Sequence, residues 1–320
     1  MKKIYFFANN LIERQYSVIK MRANFVLLST CTIFAVMKAI KFIIIGLLLS
    51  HLYGFAGEKR ALIVAISEYP AHSGWKPINA DNDVAILLNT LKKKGFHENN
   101  ITVLRDSMAT KQHVITAFLS LQKKADVGDF VFIHFSTHGQ QMEDDNGDEP
   151  DGLDESIVCY DAKMFFSPEY KGENHLRDDE MDALLLPVRK KIGETGNLIV
   201  SLDACHSESG TRGDESEEVV RGTSVIFSQN PGYNRKNTDR IPKPPLIQEN
   251  GMSPITELAA TESNRLNYEF KGYGSLTYAL CTVWDSYDIL PAFSVWSKEI
   301  KQKMEEIRPG QTPVFRTTIK

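Results

Sequence analysis

From Lys59 onward the chain alternates short, continuous apolar runs with segments whose apolar positions recur at helical spacing. Arg60 to Ile66, Ile101 to Leu104, Phe130 to Ser136 and Leu198 to Asp203 are apolar runs of strand length. Asp81 to Leu91 places Val84, Leu87, Leu88 and Leu91 on one helical face, and a lysine run follows where the helix dipole favours cations. His113 to Lys123 predicts a second helix. Apolar strands separated by helices imply a mainly parallel sheet covered on both faces. Beyond a polar interval the pattern resumes: a strand over Thr256 to Thr261, helices over Ser275 to Trp284 and Phe293 to Ile307, and a short edge strand over Gln311 to Phe315, where proline is tolerated.

Two stretches fall outside this alternation. Residues from about Glu208 to Gly251 are rich in Ser, Asn, Pro and charge, the composition of a linker or mobile loop. The first 57 residues form a separate hydrophobic extension. Met37 to Lys41 is a short basic start, Phe42 to Leu49 is apolar, and small residues precede Ala56 and Gly57. That order is expected of a secretory signal and hence of an exported, periplasmic or secreted protein. The earlier apolar stretch Phe25 to Met37 keeps a second expectation open. Either translation starts at Met37, or the region anchors the protein to a membrane or leaves it cytoplasmic.

Composition narrows the class. With 320 residues, 42% hydrophobic and 24% charged, the chain can bury a sizeable core. A formal net charge of −4, with no basic stripe and no fixed-period repeat, argues against a nucleic-acid binder. Of the four cysteines, Cys31 lies in the extension. Cys159 and Cys281 sit in apolar contexts that suit inert buried thiols. Cys205 does not.

Two of the apolar strands run into reactive residues: Ser136-Thr137-His138-Gly139-Gln140 and Asp203-Ala204-Cys205-His206-Ser207. In an open parallel sheet the carboxyl ends of the strands face one crevice. A cysteine and a histidine delivered there suit nucleophilic catalysis, the thiolate attacking a carbonyl and the imidazole moving the proton. The N–H groups of Gly139 and Cys205 could form an oxyanion hole, worth roughly 3–4 kcal/mol per donor. A zinc site from Cys205, His206 and His138 lacks a second spaced ligand pair. In the acidic loop, Asp144, Asn146, Asp148 and Glu155 fall at calcium-loop positions 1, 3, 5 and 12, but Glu149 replaces the glycine such a loop requires.

The two motifs resemble those of the caspase–metacaspase superfamily of cysteine peptidases, with the Asp-Ala-Cys-His-Ser segment closer to the metacaspase branch. The resemblance runs from about Lys59 to Pro313 and includes Asn82-Asp83, Asp151 to Glu155, Asp178 to Glu180 and Gln311 to Pro313. Glu208 departs from the glycine that follows in the family. The resemblance implies a caspase-like three-layer α/β sandwich over 58–320. It would consist of a large-subunit-like part at 58–210, a flexible linker at 211–250 and a small-subunit-like part at 251–320. It also implies peptide-bond hydrolysis through a Cys205–His138 dyad and an acyl-enzyme. A carboxylate at Asp203, beside the nucleophile, suits substrates with Arg or Lys before the scissile bond; the resemblance adds Asp83 and Ser136 to that pocket. The chemistry requires no cofactor. Calcium is implied as an activator, with Asp154, Asp178 and Asp179 as ligands and Asp214 as a weaker one.

A basic-specific enzyme could cut its own linker at Arg212, Arg221, Arg235, Lys236, Arg240 or Lys243. The alternatives are a catalytically idle binding module of the same fold, or a peptidase with non-basic specificity. Expected partners are therefore polypeptides, with membrane contact only through an uncleaved N-terminal segment.

Overall fold

The computed structural model describes residues 57–147, 149–205, 218–230, 232–233, 246–262 and 265–318, with isolated positions at 17, 20, 21, 38 and 41. The chain divides at Ala56, and the unit from Gly57 onward, the second of two, holds the sheets and the helices that cover them. The expected signal or anchor segment, His206, Glu208, Asp214 and the basic linker residues other than Arg221 lie outside the described residues.

A six-stranded sheet forms the middle of the second unit. In chain order its strands are β1 (Lys59–Ala65), β2 (Ile101–Arg105), β3 (Phe130–Ser136), β7 (Asn197–Asp203), β8 (Ile255–Ala259) and β11 (Val314–Thr317). They lie side by side as β11-β8-β7-β3-β1-β2. Every pairing is parallel except that of β11, which closes one edge antiparallel to β8.

The strands read as unbroken apolar runs because both of their faces are covered. Alternate residues point to opposite sides. Leu62, Val64, Val131, Ile133, Phe135, Leu198 and Val200 pack with α2 (Lys111–Lys124) and α3 (Asp178–Ile192) through Val114, Phe118, Leu121, Leu185 and Val188. Ala61, Ile63, Ala65, Phe132, Ile199 and Leu258 face the other layer, formed by α1 (Ala80–Lys93), α4 (Ser275–Asp285) and α5 (Phe293–Ile307). Val84, Leu87, Leu91, Leu280, Trp284, Trp296 and Ile300 fill that side. The expected three-layer sandwich is the observed architecture.

A second, antiparallel sheet was not foreseen from the sequence. It comprises β4 (Gly139–Glu143), β5 (Leu153–Val158) and β6 (His175–Arg177). Its strands carry Gln140, Gln141, Asp154, Glu155 and His175, all buried, in place of an apolar alternation. Gln140, His175 and Asp154 are paired internally. The Gln140 side-chain amide donates to the carbonyls of Met164 and Val225, and its oxygen lies 2.9 Å from His175 Nε2. A two-residue pairing of β9 (Glu269–Phe270) with β10 (Tyr273–Gly274) forms a small hairpin before α4. Its turn takes Lys271 and Gly272 into positive φ, at 53° and 76°.

Residues 218–230, read from composition as part of a polar linker, are built into the fold. Isolated bridges join Gly222 to Gly139, Phe227 to Met142 and Val220 to Tyr268. This stretch passes directly over the carboxyl ends of β3 and β7.

Candidate active site

β3 and β7 pair in parallel with Ser136 opposite Asp203. His138 and Cys205 each follow two residues later, so two neighbouring strands deliver them to the same rim. Both are buried. The connection to β4 begins at Gly139, immediately after the histidine.

His138 is held from several sides. Its backbone N–H donates to the Tyr69 hydroxyl at 3.1 Å, and that hydroxyl donates to the carbonyl of Val158. Its ring stacks on Trp75 with centroids 5.0 Å apart and lies 5.3 Å from the ring of Tyr69. Nε2 lies 2.8 Å from the carbonyl oxygen of Lys76. A carbonyl can only accept, so Nε2 carries the proton and Nδ1 presents a lone pair. Nδ1 has no hydrogen-bond partner among the described residues. Burial pushes the His138 pKa down to about 4, against the pull of the Lys76 carbonyl, so the ring is neutral near pH 7. A neutral, oriented imidazole with a free lone pair is equipped to accept a proton.

Cys205 directs its Sγ to the carbonyl of Arg265 at 2.7 Å. Its N–H donates to the carbonyl of Arg221 at 2.8 Å. The residue after that carbonyl, Gly222, bridges in parallel to Gly139. The Arg221–Gly222 peptide bond therefore lies against both residues expected to supply an oxyanion hole. The approach is close. A Cβ built on Gly222 would sit 2.3 Å from the carbonyl oxygen of Cys205 and 2.9 Å from its Cβ, so only glycine fits there without a shift of backbone.

The side chain of Arg221 enters a pocket of carboxylates and has no exposed surface. Its Nη1 lies 2.7 Å from Asp83 Oδ2 and 2.8 Å from the hydroxyl of Ser136, and the Ser136 hydroxyl itself donates to Asp83 at 2.6 Å. Asp203 stands farther off, at 3.9 Å from Nη1. Its oxygens accept instead from the Asn267 side chain and from the N–H and hydroxyl of Thr277 at 2.5–2.7 Å. The other edge of the guanidinium is taken by Glu269, whose Oε1 accepts from Nε at 3.2 Å and from Nη2 at 2.9 Å. Gly274 roofs the pocket: its N–H donates to Asp83, and a Cβ there would fall 2.1 Å from Asp203 Oδ2.

The electrostatics follow from burial against pairing. Burial works against the Arg221 charge, yet Asp83, Asp203 and Glu269 outweigh it and hold the pKa above the ordinary guanidinium value. Burial likewise pushes the Asp83 carboxyl up to about 6, against the opposing pull of Arg221. At neutral pH Asp83 is ionised, with three donors to satisfy it.

The expected pocket residues Asp83, Ser136 and Asp203 are thus gathered around one cation. Glu269, Arg221 and the histidine supports Tyr69, Trp75 and Lys76 were not foreseen. Arg221 was expected only as one of several exposed linker residues, and it is buried in the pocket. Cys159 and Cys281 are buried free thiols whose pKa values burial raises, which keeps them protonated and inert.

The residues expected to hold calcium lie on β5 (Asp154) and at the start of α3 (Asp178 and Asp179). Among the described residues, no three acidic, histidine or cysteine side chains come together as a metal-binding group. Asp154 forms a buried ion pair with Arg177, which supplies the positive charge that a cation would. Asp179 accepts from the Asn146 side chain at 2.6 Å, and Asp178 opens α3. The residues as arranged do not fit a calcium ion.

Comparison with known proteins places this geometry in context. The family model of the Caspase domain matches residues 58–319. Metacaspase III c of Phaeodactylum tricornutum is 32% identical over 158 residues, covering 47% of this chain and 43% of the relative. Metacaspase-1 of Mycosarcoma maydis is 30% identical over 160 residues, covering 47% and 36%. The matched region is less than half the length of these curated relatives. A crystal structure of a Geobacter sulfurreducens protein superposes with a TM-score of 0.59 at 24% identity, covering 82% of this chain and 93% of the other, and shares the fold. With a family match across the whole folded region, on a sheet that delivers histidine and cysteine from adjacent strand ends, this chain belongs to the caspase domain family.

Proposed function

We propose that the chain is a cysteine endopeptidase that cleaves peptide bonds after arginine or lysine, and that it can cut its own Arg221–Gly222 bond. One observation carries this reading. A buried arginine fills the acidic pocket while its own carbonyl accepts from the Cys205 amide, the arrangement a bound substrate would have.

The chemistry follows from the residues around that carbonyl. His138 Nδ1 takes the Cys205 proton, and the thiolate attacks the carbonyl carbon of the arginine held in the pocket. Negative charge developing on the oxygen is met by the Cys205 N–H and by Gly139. The imidazolium then protonates the departing amine as the C–N bond breaks, leaving an arginyl thioester. Water, activated by the neutral His138, adds to the thioester and releases the acid and the thiol. Cysteine and histidine supply the nucleophile and the proton transfers by themselves.

Pocket charge supports basic specificity. Asp83, Asp203 and Glu269 would meet an aspartate side chain as like charge in a site that water cannot screen, which is costly. Export directed by residues 37–56 and activation by calcium rest on the sequence reading and the family resemblance. They are part of this proposal, although the ion pair with Arg177 speaks against Asp154 as a calcium ligand.

The test is hydrolysis of paired fluorogenic peptides ending in arginine or aspartate, with and without calcium, by the wild type and by Cys205→Ala. The expected result is release from the arginyl peptide alone, lost in the variant. Cleavage only after aspartate would overturn the pocket reading. No turnover in any condition would favour an idle binding module.

A further inference from the structure

We infer that Glu269 makes this pocket selective for arginine over lysine. The inference rests on the reading of the pocket as the site for the residue preceding the scissile bond.

The Arg221 guanidinium is engaged on two separate edges. Nη1 meets Asp83 and Ser136 at the pocket floor, at 2.7 and 2.8 Å. Nε and Nη2, along the flank, both donate to Glu269 Oε1, at 3.2 and 2.9 Å. A guanidinium is a planar fork that can satisfy both sets at once. A lysine ammonium is a single point of charge. Placed at the floor it reaches Asp83 and Ser136 and leaves the Glu269 carboxylate without a cation; drawn to Glu269 it abandons the floor. Either way one carboxylate keeps its neutral donors but loses its cation, a cost that arginine does not incur.

Glu269 is built for this position. Its side chain is 4% exposed, and it sits on β9 beside the turn through Lys271 and Gly272. The backbone N–H of Asn79 donates to Oε1 at 2.7 Å, and the Asn79 side-chain amide donates to Oε2 at 2.5 Å. Asn79 immediately precedes α1, whose first turn carries Asp83. One helix start therefore holds the flank carboxylate and the floor carboxylate in fixed relation. A glutamate so anchored cannot swing to follow a displaced ammonium.

The experiment compares kcat/KM for two fluorogenic peptides that differ only in arginine or lysine before the scissile bond. The enzymes are the wild type, Glu269→Gln and Glu269→Ala. The wild type is expected to favour arginine by roughly ten- to a hundred-fold, the range of one charge-assisted contact. In both variants the arginine rate falls by about that factor while the lysine rate changes by less than about three-fold, so the ratio approaches one. Glu269→Gln keeps the shape and one of the two oxygens that accept from Asn79, whose side-chain amide can turn its own oxygen to the new NH2, and its melting temperature checks that the pocket persists. Equal wild-type rates on both peptides, or an unchanged ratio in folded Glu269→Gln, would overturn the role of Glu269 while leaving basic specificity intact. A wild type that cleaves neither peptide would instead remove the underlying reading, and this inference with it.

Discussion

The backbone N–H of Cys205 donates to the carbonyl of Arg221 at 2.8 Å, while the side chain of Arg221 reaches Asp83 at 2.7 Å. One residue thus touches Cys205 with its main chain and the acidic pocket with its side chain. Under the proposed function, this is how the chain would present itself to its own active site as a substrate.

Intact mass and fragment sequencing of the purified wild type should show a cut between Arg221 and Gly222. Cys205→Ala should remain whole at that bond. The same Arg221–Gly222 cut in both proteins would assign it to a contaminating protease.

Gly222→Ala should slow that cut by at least roughly ten-fold, because the added Cβ meets the Cys205 backbone at 2.3 Å and lifts the scissile carbonyl from its donor. Cleavage of a separate arginyl peptide should be spared or increased. Unchanged self-cleavage would show that the bond need not lie where it is seen.

Arg221→Ala leaves Asp83, Asp203 and Glu269 facing one another without their shared cation. Breaking such a buried pair costs roughly 3–5 kcal/mol, so the melting temperature should fall by several degrees. Benzamidine, an amidinium that can enter the vacated pocket, should raise the melting temperature of Arg221→Ala and leave the wild type little changed. Equal effects on both would argue that the pocket does not recognise this group.

His138→Ala should lower turnover of an arginyl peptide by roughly 10²–10⁴-fold with the fold retained. A loss of less than about ten-fold would remove His138 from the proton path.

The pH dependence separates binding from stability. Burial lifts the Asp83 pKa to about 6 even with Arg221 beside it, so binding of arginine should weaken as acidification protonates this carboxyl, seen as a rising KM. His138 and His134 are pushed down to about 4 and His175 to about 3, all by burial. Between those values and the unfolded value near 6.5, only the unfolded chain binds these protons. Stability contributed by the three histidines is therefore complete above about pH 6.5 and declines as pH falls toward 4. Asp83, raised in the folded state, acts in the opposite sense and offsets part of the decline between about pH 6 and 4. Chemical denaturation at about pH 7, 6 and 5 should give a falling unfolding free energy, and a rising one would contradict these environments.

The central sheet was legible because its strands are buried on both faces and so are written as uninterrupted apolar runs. The helix Phe293–Ile307 and the strand Phe130–Ser136 were readable to the residue. The strand ends carrying His138 and Cys205 followed from the same pattern. The antiparallel sheet was hidden, since Gln140, Gln141, Asp154 and Glu155 are buried in strands that leave no apolar period, Gln140 through specific hydrogen bonds and Asp154 through an ion pair. α3 carries Met181, Leu185, Val188 and Ile192 at helical spacing, but Pro187 interrupts the pattern as read along the chain. Glu269 sits in a two-residue strand too short to have a period, and its partner Asn79 is 190 positions away. Arg221 was masked by its neighbours: a polar linker composition says where a chain can be loose, and an arginine that finds three carboxylates is held regardless.

A nucleophilic Cys205 serving a basic residue held among Asp83, Asp203 and Glu269 should react with a peptidyl-arginyl chloromethyl ketone, and peptide mapping reads out where the label goes. The reagent is expected to alkylate Cys205 and neither Cys159 nor Cys281, with the aspartyl analogue at least about ten-fold slower. Labelling of Cys159 or Cys281 in preference to Cys205, or equal rates for the two reagents, would refute both the nucleophile and its pocket.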